Sequence, residues 1–338
     1  MDSKLNEAND FIAKAEKSLS KSFFKRTPDY DSAIEYYTKA ALIFRNAKCL
    51  EKAAALYKTI ADLHYQLGSY FHCAKNYENA SLVYRDLKQY DQMAELVAHS
   101  GELMRKCGAP DSAAYLYERA AKNLETPNPQ RAAEFYESAA DACEVEDKFH
   151  EAADQCNYAA RIWVRLRRFS DAERMLRLYI AYLMRGNPDS VAANVSGLAD
   201  HAAVPKMCAR AVVTLVLIKL HEGDEVAANK VFSEAMECWR FGESDDYPQI
   251  RQLLCALEDG DASRAEQLLK SSCFKTLDLD YARLLKEIKL PEVVEPFSDA
   301  PLEKTHLPSN AIHNEAYKPS EPETTFGEDG EDESEDIC

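Results

Sequence analysis

Two adjacent stretches decide the fold: PQRAAEFYESAADACEVEDK at residues 129–148 and FHEAADQCNYAARIWVRLRR at residues 149–168. In each of them, apolar or small side chains stand 3, 7, 11 and 14 residues after the first position. These offsets follow the 3.6-residue period of an α-helix and place the side chains in one stripe on one face. Each stretch therefore predicts one amphipathic helix, and the shared register makes the two helices copies of one unit.

The same register extends over eight segments, spaced by 20 residues except for one step of 19. They begin at Tyr30, Leu50, Tyr70, Tyr90, Pro110, Pro129, Phe149 and Phe169. A lone helix of about 16 residues cannot bury such a stripe, whereas antiparallel neighbours can. We therefore predict an all-α fold, a right-handed solenoid of helical hairpins like the tetratricopeptide repeats (TPR), with about 40 residues per hairpin. The side chains expected in its core include Tyr37, Ala53, Tyr77, Ala113, Tyr136 and Ala152.

Beyond the repeats the organisation changes twice. Weaker apolar periodicity predicts a helical bundle at residues 201–290, after an array that occupies residues 1–200. Residues 291–338 hold six prolines, 14 acidic residues and two lysines, so we expect a disordered acidic tail there. The remaining 290 residues carry 39 basic and 44 acidic side chains, which leaves the body nearly neutral.

The composition argues against several classes of protein. A generic nucleic-acid binder needs concentrated basic charge, and none is present on that scale, so no nucleic-acid partner is expected. The longest apolar run, residues 211–218, is far shorter than the roughly 20 residues of a membrane-spanning helix. The amino terminus lacks the apolar stretch of a signal peptide, and the ten scattered cysteines form no close pairs. We expect reduced thiols in a cytoplasmic protein.

Catalytic and metal-binding motifs are absent from the sequence. The ten glycines are isolated single residues, whereas a phosphate-binding loop needs closely spaced ones. The stretch from His150 resembles the zinc motif H-E-x-x-H, but Asp154 stands where the second histidine is required. We therefore expect neither an enzyme nor a metal or cofactor site.

Three features of the sequence suit binding. The segment SFFKRTP at residues 22–28 could present Phe23 and Phe24 to lipid acyl chains, while Lys21, Lys25 and Arg26 meet anionic headgroups. Alternatively, both phenylalanines fold back onto the core.

The second feature is a basic series, Arg161, Arg165 and Arg168, spaced four and three residues apart on one helix face. It predicts a site for an elongated acidic partner, unless it is only a solvated face. The third is the acidic tail, which either docks on a basic surface or simply keeps the chain in solution.

Taken in order, several short pieces resemble the soluble attachment proteins of the N-ethylmaleimide-sensitive fusion ATPase (NSF), in particular their gamma type. The pieces are AKAEK at residues 13–17, FFK at 23–25, PDYDSA at 28–33, KAA at 39–41, FRNAK at 44–48, VRLRRF at 164–169, VAA at 226–228, and FK with DYA between 274 and 282. The resemblance implies an adaptor without an active site. It would lie along assembled membrane-fusion (SNARE) bundles of the syntaxin kind and recruit the hexameric ATPase to unwind them.

The resemblance also implies places for two contacts. Phe23 and Phe24 match the membrane-attachment loop of the family, and the carboxyl-terminal bundle and tail match the part that engages the ATPase. The tail residues predicted to do so are Glu331, Asp332, Glu333, Glu335, Asp336 and Ile337. The assignment of the arginine series to SNARE binding comes from its spacing alone. A TPR-type peptide receptor, such as a cochaperone, is the alternative, although the 20-residue segments are long for one.

Overall fold

The computed structural model describes residues 2–20, 27–186, 203–239 and 241–290, and every regular element in those ranges is a helix. The earlier helices are α1 (Asp2–Leu19), α2 (Tyr30–Asn46), α3 (Leu50–Gln66), α4 (Tyr70–Asp86), α5 (Tyr90–Lys106), α6 (Pro110–Leu124), α7 (Pro129–Val145), α8 (Phe149–Arg165) and α9 (Phe169–Gly186). The later ones are α10 (Ala203–His221), α11 (Glu225–Cys238), α12 (Tyr247–Glu258), α13 (Ala262–Leu269), α14 (Ser272–Lys275) and α15 (Leu279–Leu285), with a 3-10 turn at Phe241–Glu243. All eight predicted segments begin helices at the predicted residue, which confirms the all-α helical-hairpin array.

A short joint explains the 20-residue spacing. After the 17 residues of α4, the N–H of Gln89 donates to the Tyr84 carbonyl and that of Lys88 to the Arg85 carbonyl, both at 2.9 Å. This pair of bonds is a Schellman cap, and its middle residue takes a left-handed backbone, with φ at 60° for Lys88. The same cap recurs with Lys48, Gly68, Gly108, Asp147 and Arg167 in the middle position. The single step of 19 arises because α6 has only 15 residues and a four-residue joint follows it.

Each helix from α1 to α9 packs against the next one along the chain. Joints of three or four residues leave no room for a crossover, and at the longer α1–α2 connection the Asp29 N–H meets the Ser18 carbonyl at 3.0 Å, so these neighbours run antiparallel. The connections therefore alternate between two edges of the array. Edge A carries the α1–α2, α3–α4, α5–α6 and α7–α8 connections, and edge B carries the others.

The predicted stripe forms the core. The residues at the third offset are at most 2% exposed: Ala33, Ala53, Cys73, Met93, Ala113, Ala132, Ala152 and Ala172. Tyr37 and Tyr136 are buried as predicted. Tyr77 is not, because its hydroxyl donates to the exposed carboxylate of Asp62 at 2.8 Å and the ring stays half-buried at the rim.

Gly101 allows α5 and α6 to approach closely. A Cβ atom at this position would lie 2.2 Å from Cζ of Tyr117 on α6. The Tyr117 ring is itself only 5% exposed and stacks on Phe135 with 5.8 Å between ring centroids. The ring therefore occupies the space that a larger residue would need.

The later helices continue the core. Helix α10 contacts α9, α11 and α15, and this enclosure buries the apolar run at residues 211–218 to 3% exposure or less. Helix α15 also contacts α8, so the carboxyl-terminal helices pack directly on the repeat array. The boundary predicted near residue 200 lies outside the described residues, and the division into array and bundle stays a prediction.

Candidate interaction surface

The predicted arginine series faces another part of the same chain. Arg161 and Arg165 lie on the last turns of α8, opposite the first turn of α15. The Arg161 Nε atom is 3.6 Å from a carboxylate oxygen of Asp280 and 3.7 Å from one of Asp278, and the Arg165 Nε atom is 3.7 Å from Asp280. The Asp280 carboxylate is therefore shared by two guanidinium groups of α8, and Arg283 of α15 lies 3.9 Å from it as a third.

Asp280 is the buried member of this group, which we call the α8–α15 junction (Arg161, Arg165, Asp278 and Asp280). The residue is 8% exposed, whereas the two arginine side chains are 33% and 37% exposed. A buried carboxylate needs a partner, because removing it from water is costly. The neighbouring Tyr281 and Leu284 are buried as well. Charged and apolar contacts therefore both hold α15 against α8.

A second contact with the carboxyl-terminal helices forms at the α8–α9 joint. The Arg167 guanidinium lies 2.5 Å from the Glu287 carboxylate and 3.0 Å from Nε2 of His221, which is itself 3.3 Å from Glu287. The hydrogen bond from Arg167, followed by the one from His221, lowers the pKa of Glu287. This contact joins edge B to α10 and to the residues after α15.

Arg168, the third member of the series, contacts side chains of α8 and α9. It pairs with Asp171 at 2.6 Å, and its guanidinium lies over the Trp163 ring, 4.7 Å from the centroid. The Trp163 indole donates to Glu137 at 2.6 Å, and the same carboxylate accepts from Arg174 at 2.7 Å. Arg168 is the most exposed of the three, with 51% of its side chain accessible.

Helix α9 carries a further charged connection to α10 and α11. Arg177 bonds both carboxylate oxygens of Glu234, at 2.7 and 2.8 Å, and reaches Glu173 at 2.9 Å. Glu173 also meets Lys219 at 2.8 Å. Burial alone would raise the pKa of Glu173, but the hydrogen bonds from Lys219 and Arg177 outweigh burial and lower it.

Every arginine of the predicted series thus has an acidic partner among the described residues. The surface around Arg161, Arg165 and Arg168 is a network of paired charges. The three guanidinium groups stay partly exposed to solvent. Sequence reasoning missed Asp278 and Asp280 because they lie far along the chain from α8. The assignment of the series to SNARE binding stays a prediction.

Two predicted sites fall outside the described residues. They are the membrane-binding set (Lys21, Phe23, Phe24, Lys25 and Arg26) and the ATPase-binding set (Glu331, Asp332, Glu333, Glu335, Asp336 and Ile337). No described helix has the length and apolar character to cross a bilayer. Within the same described part of the chain, no group of three His, Cys, Asp or Glu residues is arranged to hold a metal ion.

Comparisons with known proteins give the family. The family model described as "Soluble NSF attachment protein, SNAP" matches residues 6–184. A gamma-soluble NSF attachment protein of Dictyostelium discoideum is 23% identical over 284 residues, which cover 84% of this chain and 83% of that protein. One of Arabidopsis thaliana, with the same description, is 23% identical over 289 residues, covering 85% of this chain and 94% of its own. The resemblance noted in the sequence is confirmed, and the chain belongs to the soluble NSF attachment protein family.

Proposed function

We propose that the chain is an adaptor that binds assembled SNARE bundles and recruits an NSF-type hexameric ATPase for their disassembly. The match to the family model over residues 6–184 is the observation that carries the proposal. It supports a role in attaching NSF during vesicle trafficking, and both relatives are named as NSF attachment proteins. Recruitment of the ATPase to a SNARE bundle is the more specific part of the proposal. It requires two separate binding surfaces on one chain, one for each partner.

The architecture suits an adaptor. The helices α1 to α9 are joined in sequence, each packed on the next, so the array is long and stiff and can offer one partner many contacts. The carboxyl-terminal helices are tied to it by the α8–α15 junction and by the Arg177–Glu234 pair. A force applied to the array would therefore be transmitted to the carboxyl-terminal helices. We expect no chemistry from the chain itself.

Recruitment is the direct test. A SNARE bundle of the syntaxin kind is immobilised, and the purified ATPase is added with a non-hydrolysable nucleotide, with and without the chain. The proposal expects ATPase retention only when the chain is present. Retention that does not depend on the chain would contradict it, and binding of chaperone carboxyl-terminal peptides instead would favour the TPR-type receptor.

For the SNARE contact we propose the solvent-exposed guanidinium groups of Arg161, Arg165 and Arg168. Arg168 is the best residue for testing this contact. Reversing Arg161 or Arg165 would also break the α8–α15 junction, whereas the described contacts of the Arg168 side chain are with Asp171 and the Trp163 ring beside it. Arg168→Glu should weaken bundle binding, more so at low salt, because screening weakens exposed charges at high salt. Arg264→Glu, an exposed arginine on α13, is the matched control. Equal binding by both variants at low ionic strength would reject the assignment.

For the membrane we propose insertion of Phe23 and Phe24, with Lys21, Lys25 and Arg26 at the headgroups, which would make the chain peripheral on the cytosolic face. Full burial of two phenylalanines is worth about 3–6 kcal/mol, against about 1 kcal/mol for each basic residue near anionic lipid. Serine at both positions should abolish flotation with liposomes and leave disassembly of soluble bundles unchanged. Equal slowing of membrane-anchored and soluble bundles would contradict insertion.

For the ATPase we propose a contact by the carboxyl-terminal bundle, aided by the acidic residues from Glu331 to Asp336 and by Ile337. Removing residues 291–338 should reduce ATPase recruitment modestly and leave SNARE binding intact. Loss of SNARE binding on truncation would contradict this division.

A further inference from the structure

Apolar side chains are concentrated at one joint of the array. Tyr65, Leu67, Tyr70 and Phe71 are 54%, 41%, 45% and 37% exposed, at the end of α3, in the joint and at the start of α4. We call these four residues the α3–α4 tip. Single exposed apolar residues are ordinary on a protein surface, but a contiguous set of four is typical of a contact site.

The rings of the tip and its neighbours are held in place by one another. Tyr65 and Tyr70 meet edge to face, with 5.3 Å between ring centroids, and Phe71 stands perpendicular to His72 at 6.1 Å. His72 in turn stacks on His64 at 5.3 Å. Because the rings already support each other, little side-chain freedom is left to lose when a partner covers them.

The tip lies on edge A, as do the end of α1 and the start of α2. The N–H of Asp29 donates to the Ser18 carbonyl at 3.0 Å, which joins the end of α1 to the start of α2. Asp31, in the first turn of α2, is close enough to His64 to favour its protonated form, although burial and His72 together lower the pKa of His64. Asp29, before the start of α2, therefore lies on the same edge of the array as the α3–α4 tip.

The charges around the tip do not oppose a lipid surface. Lys75 Nζ lies 5.8 Å from the centroid of the Phe71 ring, and Lys106 is the last residue of α5 at the same edge. Three nearby carboxylates are engaged, since Asp62 accepts from Tyr77, Glu78 pairs with Lys75 at 3.0 Å and Glu102 pairs with Lys106 at 2.6 Å. Aromatic rings with polar tips, flanked by lysines, suit the boundary between headgroups and acyl chains.

We propose that the α3–α4 tip is a second membrane-contacting element, which rests on a phospholipid bilayer surface. This inference depends on the membrane association put forward under the proposed function. A bilayer is favoured over a protein partner because the tip occupies a joint at the edge of the array. A flat surface that meets the end of α1 and the start of α2 can also meet this joint on the same edge.

The test compares full-length variants in liposome flotation, with vesicles of phosphatidylcholine alone and with added phosphatidylserine. Leu67→Ser with Phe71→Ser should lower the bilayer partition about tenfold in both vesicles, because the lost contact is apolar. Leu42→Ser removes an apolar side chain that is 53% exposed in the second half of α2, and should change nothing. Disassembly of soluble bundles should be equal for all three proteins.

A second measurement does not depend on removing side chains. Tyr65→Trp, added to the native tryptophans, should be quenched by brominated lipid, whereas Leu42→Trp should not. Flotation of the serine variant at the level of the parent, or quenching equal at both tryptophans, would overturn the proposal while membrane association itself stands. A parent chain that does not float at all would instead reject the proposed membrane association, and the tip with it.

Discussion

Replacing Asp280 with alanine is the sharpest structural test, because this buried carboxylate balances two guanidinium groups of α8 and is also 3.9 Å from Arg283 of α15. At an effective dielectric constant of about 20, unit charges at the observed 3.6 Å attract by roughly 4–5 kcal/mol before desolvation is counted. Breaking a fully buried pair costs about 3–5 kcal/mol, and an exposed pair about 0–1 kcal/mol. Asp280 is buried while Arg161 and Arg165 are one-third exposed, so the expected loss is about 2 kcal/mol.

The loss should appear locally, as easier opening of α15. This helix has only seven residues, so it depends on its contacts with α8 and α10. A 2 kcal/mol loss corresponds to about 30-fold faster amide exchange at residues 279–285, measured by hydrogen–deuterium exchange with mass spectrometry. Asp280→Asn, which keeps the shape without the charge, should give most of the same effect.

A matched control is Asp259→Ala, which removes an exposed carboxylate at the end of α12. It should leave exchange at residues 279–285 unchanged. Exchange in Asp280→Ala that equals the parent would refute the reasoning, because the junction would then contribute nothing to holding α15. Asp280→Ala also serves as a control for charge reversal at Arg161 and Arg165. It breaks the same junction without changing the arginines that a partner would contact.

Three further predictions concern the core. Ala113→Leu should overpack the fully buried helix contact and destabilise the fold by about 1–3 kcal/mol in urea unfolding; an unchanged midpoint would contradict the register. Gly101→Ala should destabilise despite a gain of about 1 kcal/mol in helix propensity, because its Cβ would meet the Tyr117 ring; a higher melting temperature would disprove the close approach. A thiol reagent at pH 8, followed by peptide mass spectrometry, should label exposed Cys107 readily and Cys143 only on unfolding, since burial raises the pKa of Cys143 to about 11; equal labelling would show that this core opens.

The helices could be predicted from sequence because their signal repeats. A stripe that recurs at the same offsets in eight segments gives the register, and the structure begins each helix at the expected residue. The joints were harder to recognise at Lys48, Lys88 and Arg167, where a basic residue takes the left-handed backbone that favours glycine. There the hydrogen bonds of the cap, rather than residue type, define the turn.

Ion pairs between helices that are far apart in the chain produce no periodic pattern in the sequence. Nothing in the spacing of Arg161 and Arg165 shows that Asp280 neutralises them, because that contact depends on how α15 packs across α8. The exposure of Tyr77 was missed for a related reason. Its stripe position predicts burial, but a hydrogen bond to Asp62 keeps the ring at the rim.

The adaptor role is tested most directly by SNARE disassembly in solution. A fluorescently labelled bundle, without membrane, is mixed with the purified ATPase and ATP while the concentration of the chain is varied. If the chain recruits the ATPase, the rate of separation should be near zero without it, should rise with its concentration and should then saturate. A rate that does not change with chain concentration, with the bundle and the ATPase both shown to be active, would contradict the proposed function.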